Sequence, residues 1–287
     1  MAKIGIIGGS GLYKIEGFKT EKQVLISTPF GKPSDKFTVG KLEGREVVFL
    51  PRHGSGHRIS PSEINYRANI YGMKKLGVDT LISVSACGSL KEELKPMDFV
   101  IPDQFLDRTN SGRKMTFFEK GIVAHVSFAD PVCSRVCGSV YEAAKKAGVA
   151  VHMGGCYVNM EGPAFSTRAE SNLYRSWGMD IIGMTNMAEA KLAREAQMCY
   201  CTLAAVTDYD CWYLSHESVS VDMIIANLMK NIENAKKIIR NLMSLLPEST
   251  GCSCREALKY AIVTDRKYIT KETKERLKLI IGKHLDK

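Results

Sequence analysis

Two aspartates, Asp208 and Asp210, come directly after an apolar run at residues 200–206. A short apolar run that ends in polar residues is typical of a buried strand in an α/β sheet. Ligands of such sheets bind just beyond the carboxyl ends of the strands. If the strand ends near Val206, both carboxylates lie at that edge and can meet a ligand. A surface Asx turn with two solvated carboxylates is the alternative for this segment taken alone.

Loops of small or basic residues follow other predicted strands. The glycines of Gly8-Gly9-Ser10-Gly11, after a strand at residues 3–7, let backbone N–H groups approach an anion. Arg52 and His53 end a predicted hairpin, where a guanidinium fork beside a second donor suits an oxyanion. A plain turn and a structural Arg–carboxylate pair are the alternatives. The dinucleotide-binding fingerprint does not fit, because Lys14 occupies its third glycine position.

Strands and helices alternate along the chain, and this predicts an α/β fold with a mixed central β-sheet flanked by helices. Ser60 and Glu63 predict a capping box for a helix that ends near Leu76, and Thr167 with Glu170 predicts another. The other predicted strands are at 37–42, 46–50, 79–85, 99–105, 150–159 and 180–185, and a loop is predicted at 86–89. The other predicted helices are at 131–147, from Asn186, at 220–245, and around Arg255 and Lys271. We expect residues 1–246 to form one domain and residues 247–287 a helical extension packed on it.

The chain of 287 residues carries a net charge of +9. The basic residues are spread out, with no basic run that has interleaved aromatics, so a small anionic substrate is expected and a nucleic-acid partner is not. No uncharged apolar run approaches the ~18 residues that span a bilayer. The first residues also lack the features of a signal peptide. These observations predict a cytoplasmic protein with no membrane partner.

Nine cysteines are many for an intracellular chain. Neither Cys199-x-Cys201 nor Cys252-x-Cys254 has the spacing of a zinc knuckle, and no histidine pair is nearby, so no metal site is predicted. Each cysteine is explained either as a small buried hydrophobe or as one half of a disulfide. Intracellular disulfides occur chiefly in proteins of hyperthermophiles.

Seven stretches, in order along residues 1–245, together form a specific pattern: IIGGSGL from 6, TPFGKPSD from 28, RHG from 52, ACGSL from 86, EGP from 161, FSTRAE from 165 and TDYDCW from 207. The pattern resembles the 5′-methylthioadenosine phosphorylases of the nucleoside phosphorylase superfamily. The resemblance implies a single domain, assembled as a homotrimer or homohexamer with sites near subunit borders. It also implies that inorganic phosphate, as co-substrate, cleaves 5′-methylthioadenosine to adenine and 5-methylthioribose 1-phosphate without a metal or an organic cofactor.

The same resemblance implies roles for individual residues. Phosphate would contact Ser10, Arg52, His53, Ser85, Ala86 and Thr185. Phe165 would stack on the purine, and Met184 would pack on the ribose and bind its hydroxyls through its backbone N–H. The methylthio pocket would comprise Val221, Ile224 and Ile225, bordered by His57 and the partner subunit's His125. Alternatively, these three apolar residues form the face of a helix that packs into the core.

The resemblance has two further implications. Ala164 stands where family members often carry arginine, so any role of that side chain is absent here. Heat-adapted relatives imply some disulfides in this chain, including one between Cys252 and Cys254.

The chemistry of the reaction assigns Asp208 and Asp210 as catalytic residues. A departing purine leaves easily only when it is protonated or strongly hydrogen-bonded at N7. A buried Asp208 facing Asp210 would have a raised pKa and could hold that proton near neutrality. The carboxylate pair would also accept hydrogen bonds from the N6 amine of adenine, whereas a 6-oxo purine presents an acceptor there. The pair therefore favours adenine.

Four other functions remain possible from the sequence. A phosphorylase of purine nucleosides or methylthioinosine would share the chemistry but act on 6-oxo purines. A nucleosidase would use water in place of phosphate, although Arg52 and His53 favour phosphorolysis. A dinucleotide-dependent oxidoreductase would fit Gly8 to Gly11 but needs the missing glycine. A non-catalytic nucleotide-binding module is the fourth.

Overall fold

The structure, a computed structural model, describes residues 3–9, 11–12, 14–213, 221–247 and 251–285, and only the backbone at 221–225 and 285. Ser10 therefore lies outside the described residues. The side chains of Val221, Ile224 and Ile225 also lie outside them, although their backbone starts a helix.

Eleven strands in the described part of the chain form one mixed sheet, as predicted. The strands are β1 Lys3–Gly8, β2 Lys19–Val24, β3 Phe37–Leu42, β4 Arg45–Pro51, β5 Val78–Ser89, β6 Phe99–Ile101, β7 Gln104–Arg108, β8 Val151–Met153, β9 Cys156–Met160, β10 Ile181–Gly183 and β11 Cys199–Tyr209. Their order is β2-β3-β4-β1-β5-β10-β9-β7, and β11 pairs with both β5 and β6. The central strands β4, β1, β5 and β11 run parallel, so their carboxyl ends meet at one edge of the sheet.

The described residues also form six α-helices, which pack against this sheet: α1 Tyr66–Lys75, α2 Ser134–Lys146, α3 Arg168–Ser176, α4 Asn186–Glu195, α5 Val221–Leu245 and α6 Lys271–Leu285. Alternate residues of the central strands reach opposite cores, as Ile6 and Ile7 of β1 do. The core of Ile6 includes buried side chains of α2 and α5. The core of Ile7 includes those of α1, α4 and α6. The chain is thus a three-layer α/β/α structure whose middle strands are apolar on both faces.

Both central strands continue past their predicted ends. β11 pairs with β5 from Cys199 opposite Thr80 to Tyr209 opposite Ser89. The predicted loop at 86–89 is therefore strand, and Asp208 lies within β11, because the paired backbone continues where the apolar side chains stop. The register shifts between Val206 and Asp208, and such bulges re-aim side chains.

Two segments that were predicted as single strands are each two strands. Pro102 and Asp103 separate β6 from β7, and Gly154 and Gly155 separate β8 from β9. Both glycines have positive φ, at 91° and 105°, which ends the extended backbone. Each half then pairs with a different neighbour, since β6 joins β8 while β7 joins β9.

Some helix starts also differ from the prediction. Helix α1 begins at Tyr66, because the Asn65 side chain accepts from the Ala68 N–H at 3.1 Å; Ser60 and Glu63 close only a turn. The Thr167–Glu170 capping box is confirmed. Around Arg255 the chain forms a 3₁₀ turn, Ser253–Glu256, in place of the predicted helix. None of the described helices is long and apolar enough to cross a membrane.

The residues after Pro247 add side chains to both cores, such as Cys254 to one and Leu277 to the other. The division of the chain at residue 246 stays a prediction. All nine cysteines are free thiols in the structure, so the disulfide implied between Cys252 and Cys254 is not present.

Candidate active site

Five of the predicted site residues, Arg52, His53, Ser85, Ala86 and Asp208, lie at or near the carboxyl ends of the parallel strands β4, β5 and β11. The Arg52 N–H donates to the Gly8 carbonyl oxygen at 2.9 Å, which joins the end of β4 to the end of β1. On β5, Ala86 is exposed although it lies between the buried Ser85 and Cys87. An exposed residue in the middle of a central strand marks an open cleft in the covering layer.

Asp208 is the titratable group best suited to donate a proton in this cleft. Burial raises its pKa to about 6, and the neighbouring Asp210 acts in the same direction. Its Oδ1 accepts from Thr207 Oγ1 at 2.6 Å. Because that hydroxyl bond fixes Oδ1, Oδ2 is the oxygen that can carry a proton toward a ligand.

Asp210 follows the strand and is 7% exposed. Burial raises its pKa, although the Ser171 and Ser166 hydroxyls lie near it and oppose the shift. Its Oδ2 has no hydrogen-bond partner among the residues that the structure describes. A buried carboxylate oxygen without a donor costs free energy unless a ligand supplies one.

Gly88 keeps open the space beside the two carboxylates. A Cβ at this position would lie 3.4 Å from the Cβ of Asp210 and 3.5 Å from Oδ2 of Asp208. The chain beyond the pair is fixed by Trp212, whose Nε1 donates to the Ser89 carbonyl oxygen at 2.8 Å. The Arg175 guanidinium stacks 3.5 Å from the centre of the Trp212 ring.

Arg52 forms the structural pair that was the alternative to an anion site. Its Nε donates to Glu189 at 2.5 Å, and both side chains are buried. Its Nη2 donates to Ser83 Oγ at 2.7 Å, and its Nη1 donates to the Val84 carbonyl oxygen at 3.0 Å. Since Nη1 has two N–H groups, the pair with Glu189 does not exclude a further bond to an anion.

His53 is a neutral histidine in this structure. Burial and the adjacent Arg52 charge lower its pKa to about 4. Its Nδ1 donates to the Ile59 carbonyl oxygen at 2.8 Å, and this fixes the proton on Nδ1. Its Nε2 is then an acceptor, not the second donor that the sequence suggested. The exposed His57 stacks on it with ring centres 4.2 Å apart.

Two hydroxyls complete the anion side of the cleft. Ser85 Oγ is buried and has no hydrogen-bond partner in the described chain. Thr185 is the residue before α4, and its hydroxyl donates to the Asn186 side chain at 3.3 Å without capping the helix. The first turn of a helix favours an anion through its free N–H groups and its dipole.

The loops after β9 and β10 offer an exposed aromatic ring and an ordered backbone. Phe165 is 69% exposed on the loop between β9 and α3. The Met184 carbonyl oxygen accepts from Asn159 Nδ2 at 3.1 Å and from Arg113. A Cβ on Gly162 would collide with the Met184 side chain, so these two loops are packed together.

The sequence analysis missed the pair that holds these loops, Arg113 and Glu161. The Arg113 side chain is 1% exposed and donates to Glu161 at 2.9 Å. Although burial opposes it, hydrogen bonds from Ser111 and Ser62 lower the pKa of Glu161. Residues 107–120 are polar and charged, and no pattern in the sequence marks Arg113 as buried.

Asn227 and Asn231 of α5 were missed as well. Their side-chain amides donate to the Thr207 and Val206 carbonyl oxygens, each at 2.8 Å. The spacing of four residues places both on one helix face, which was the detectable signal. These bonds fix the start of α5, where Val221 lies, close to the end of β11.

His125 is exposed, and its described contacts are with the C-terminal segment, through an N–H bond to the Ala261 carbonyl oxygen at 2.8 Å. The single chain does not join it to the carboxylates. Its implied role requires a second subunit and stays a prediction.

Comparison with known proteins is consistent with this arrangement. Residues 3–244 match the phosphorylase superfamily. The S-methyl-5′-thioadenosine phosphorylase of Geobacter sulfurreducens is 60% identical over 98% of this chain and 99% of its own length. That of Koribacter versatilis is 58% identical over 99% of this chain and 97% of its own.

Solved structures give the same result. A methylthioadenosine phosphorylase from an antarctic soil metagenomic library superposes with a TM-score of 0.93 at 51% identity, covering 97% of this chain and 98% of its own. The methylthioadenosine phosphorylase of Schistosoma mansoni, in complex with adenine, gives 0.82 at 35% identity over 100% of both chains. The chain therefore belongs to the phosphorylase superfamily and, within it, to the S-methyl-5′-thioadenosine phosphorylases.

Proposed function

We infer that this chain is a pentosyltransferase that cleaves 5′-methylthioadenosine with inorganic phosphate, releasing adenine and 5-methylthioribose 1-phosphate. The observation that carries this inference is the buried carboxylate pair, in which Asp208 has a pKa of about 6 and Asp210 has an oxygen without a donor among the described residues. A proton donor beside an acceptor matches N7 and the N6 amine of adenine. Adenosine, which shares that base, is proposed as a further substrate.

Asp208 would protonate the leaving purine at N7. With a pKa of about 6, roughly one tenth of the free enzyme carries this proton at pH 7. A bound base would displace water from the carboxyl and increase that fraction. Asp210 Oδ2 would accept from the N6 amine, which supplies a donor that no described residue provides.

Phosphate would bind at the start of α4, between Arg52, the end of β1 and the C-terminal half of β5. Arg52 Nη1, the Ser85 and Thr185 hydroxyls, and the backbone near Ala86 and Ser10 would donate to its oxygens. His53, neutral with a free Nε2, would accept from the phosphate O–H instead. That bond would orient a phosphate oxygen toward C1′, where positive charge develops as the base leaves.

The remaining contacts are proposed on the same basis. Phe165 would cover the purine, since its ring is exposed in the free chain. Met184 would line the ribose, and Val221, Ile224 and Ile225 the methylthio group, with His57 and the partner subunit's His125 at the border. This last contact requires the homotrimer or homohexamer that we propose. No step in this mechanism uses a metal or an organic cofactor.

The test is adenine release from 5′-methylthioadenosine, measured with and without phosphate. We expect release that depends on phosphate and forms a sugar 1-phosphate. Phosphate-independent release would indicate a nucleosidase. Faster cleavage of inosine or methylthioinosine than of their adenine counterparts would indicate a 6-oxo purine phosphorylase and would contradict the assignment of Asp208 and Asp210.

A further inference from the structure

Four cysteine thiols from three distant parts of the sequence meet at the end of β11 opposite to the active site. Cys133 precedes α2, Cys199 begins β11, and Cys252 and Cys254 lie at the C-terminal 3₁₀ turn. All four are buried, and their Sγ atoms lie within 4.8 Å of one another. Cys133 Sγ and Cys252 Sγ are 3.7 Å apart.

These distances fit a metal site better than a disulfide. Zinc–sulfur bonds of about 2.3 Å in a regular tetrahedron place the sulfurs about 3.8 Å apart. A disulfide requires about 2.05 Å. The Cys133–Cys252 distance is already at the tetrahedral value, and the widest pair, at no more than 4.8 Å, would need to shorten by about 1 Å.

We propose that Cys133, Cys199, Cys252 and Cys254 form a structural site for one zinc ion, bound as a tetrathiolate. This inference does not depend on the proposed function. The sequence analysis predicted no metal because no pair of cysteines has the spacing of a zinc knuckle. The fold supplies the missing ligands, since it brings Cys133 and Cys199 to Cys252 and Cys254 across more than fifty intervening residues.

The surroundings favour thiolates at this position. Cys133 is the residue before α2, where the N–H groups of the first turn and the helix dipole stabilise a negative sulfur. Four thiolates around one Zn²⁺ leave a net charge of −2, and Arg135 lines the cavity beside the sulfurs.

The ligands are held in place by the backbone and can be reached from solvent. The Cys133 N–H donates to the Tyr200 carbonyl oxygen at 2.8 Å, which joins α2 to β11. The Arg255 side chain bonds Asp79 at 3.0 Å and anchors the C-terminal turn to the start of β5. A surface groove of about 710 Å³, lined by Cys133, Cys252 and Cys254 among others, gives an ion a route to the sulfurs.

The site is remote from catalysis. Cys199 and Asp208 lie at the two ends of β11, and nine residues of extended strand span about 30 Å. The ion would connect the C-terminal segment to β11 and α2, so its removal should lower Tm and leave the active site in place.

The experiment uses the full chain, purified anaerobically without chelators and with its thiols reduced. Zinc is counted per chain, and the metal-free protein is titrated with Co²⁺ alone, whose thiolate charge-transfer and d–d bands report tetrahedral sulfur ligands. We expect about one ion per chain in the wild type and in Cys201→Ser, a buried cysteine of the same strand outside the cluster. We expect Cys254→Ser and Cys199→Ser to lose the ion and the Co²⁺ spectrum.

Three results would overturn the proposal. One is a reduced wild type that binds neither Zn²⁺ nor Co²⁺. Another is equal metal content in Cys254→Ser and the wild type. The third is isolation of the chain, in a parallel preparation without added reductant, with these cysteines linked as disulfides, detected by peptide mass mapping. Should both serine variants fail to fold, alkylation of the folded wild type decides: bound Zn²⁺ should protect these four thiols and leave the reactivity of Cys156 and Cys211 unchanged.

Discussion

The substitution Asp208→Asn tests the proton donor and the base preference together. Asn keeps the size of the side chain, and its Oδ1 can still accept from Thr207 Oγ1, a bond of 2.6 Å in the wild type. The amide nitrogen then takes the place of Oδ2. Its two N–H groups can donate hydrogen bonds but cannot transfer a proton, so the variant loses the acid function and gains a second donor.

The expected loss follows from that geometry. A positioned general acid contributes typically ~10²–10⁴-fold to a rate, so kcat for 5′-methylthioadenosine should fall by about that factor. One N–H of the new amide donates to N7, and the other lies toward the N6 amine of adenine, donor against donor; an unpaired group of this kind costs about 1–3 kcal/mol. A 6-oxo purine offers an acceptor there instead. The ratio of kcat/KM for inosine to that for adenosine should therefore rise by ~10-fold or more.

The assay is steady-state cleavage of 5′-methylthioadenosine, adenosine, inosine and methylthioinosine at saturating phosphate. Asp265→Asn is the matched control, because that carboxylate is 55% exposed and pairs only with Lys267 among the described residues. We expect the control to keep wild-type kinetics. Unchanged turnover in Asp208→Asn would refute the acid role, and an equal loss on all four nucleosides would refute the base preference.

The pH dependence gives a second readout of the same group. Asp208 must be protonated, so the rate that depends on it should fall as the pH rises through about 6. The free energy of unfolding also falls as the pH rises, because a carboxyl whose pKa is raised from 3.8 to about 6 on folding binds its proton more tightly in the folded state. The stability of the wild type therefore falls between these two pH values, by at most about 3 kcal/mol from this group. Asp208→Asn should have a higher Tm than the wild type at pH 7.5 and no such advantage at pH 4.

Three other substitutions test separate parts of the site. Gly88→Ala places a Cβ 3.2 Å from Ile182 Cγ2 and 3.5 Å from Asp208 Oδ2, so kcat/KM for 5′-methylthioadenosine should fall ~10-fold and the urea midpoint should fall slightly as Ile182 gives way. Phe165→Ala should raise KM for the nucleoside by ~10-fold without lowering Tm, because the ring is 69% exposed, and a lower Tm with unchanged KM would place the ring in an interface instead. Glu189→Gln leaves the buried Arg52 charge unpaired and should lower the free energy of unfolding in urea by about 3 kcal/mol. The control is Glu119→Gln, which removes a partly exposed pair with Arg67 and should lower it by about 1 kcal/mol or less.

The sequence was sufficient to predict the architecture, because apolar strands and capped helices leave local signals. Periodicity placed β1, β3 and α5 within one or two residues, and the Thr167–Glu170 box is as predicted. The strand ends were predicted less well. β11 continues to Tyr209 because it stays paired with β5, and pairing across 120 residues has no local signature.

The site was predictable only in part, for a related reason. Asp208 and Asp210 stand next to a detectable strand. The groups that tune the site act from far away in the sequence, such as Glu189 on Arg52 and Arg113 on Glu161. His53 shows the limit clearly: its donor role was inferred from its type, but the Ile59 carbonyl oxygen fixes its proton and makes Nε2 an acceptor.

One strand links the stability of this chain to its chemistry. β11 is buried along nearly its whole length, and that burial stabilises the fold through its apolar residues. The same burial raises the pKa of Asp208 at the carboxyl end, which destabilises the folded chain at neutral pH and makes the carboxyl an acid of useful strength. Removing the charge of Asp208 should therefore stabilise the protein and abolish its efficient turnover. A variant at Asp208 that retained full activity and gained stability would separate the two effects and show that the raised pKa is a cost of packing with no catalytic purpose.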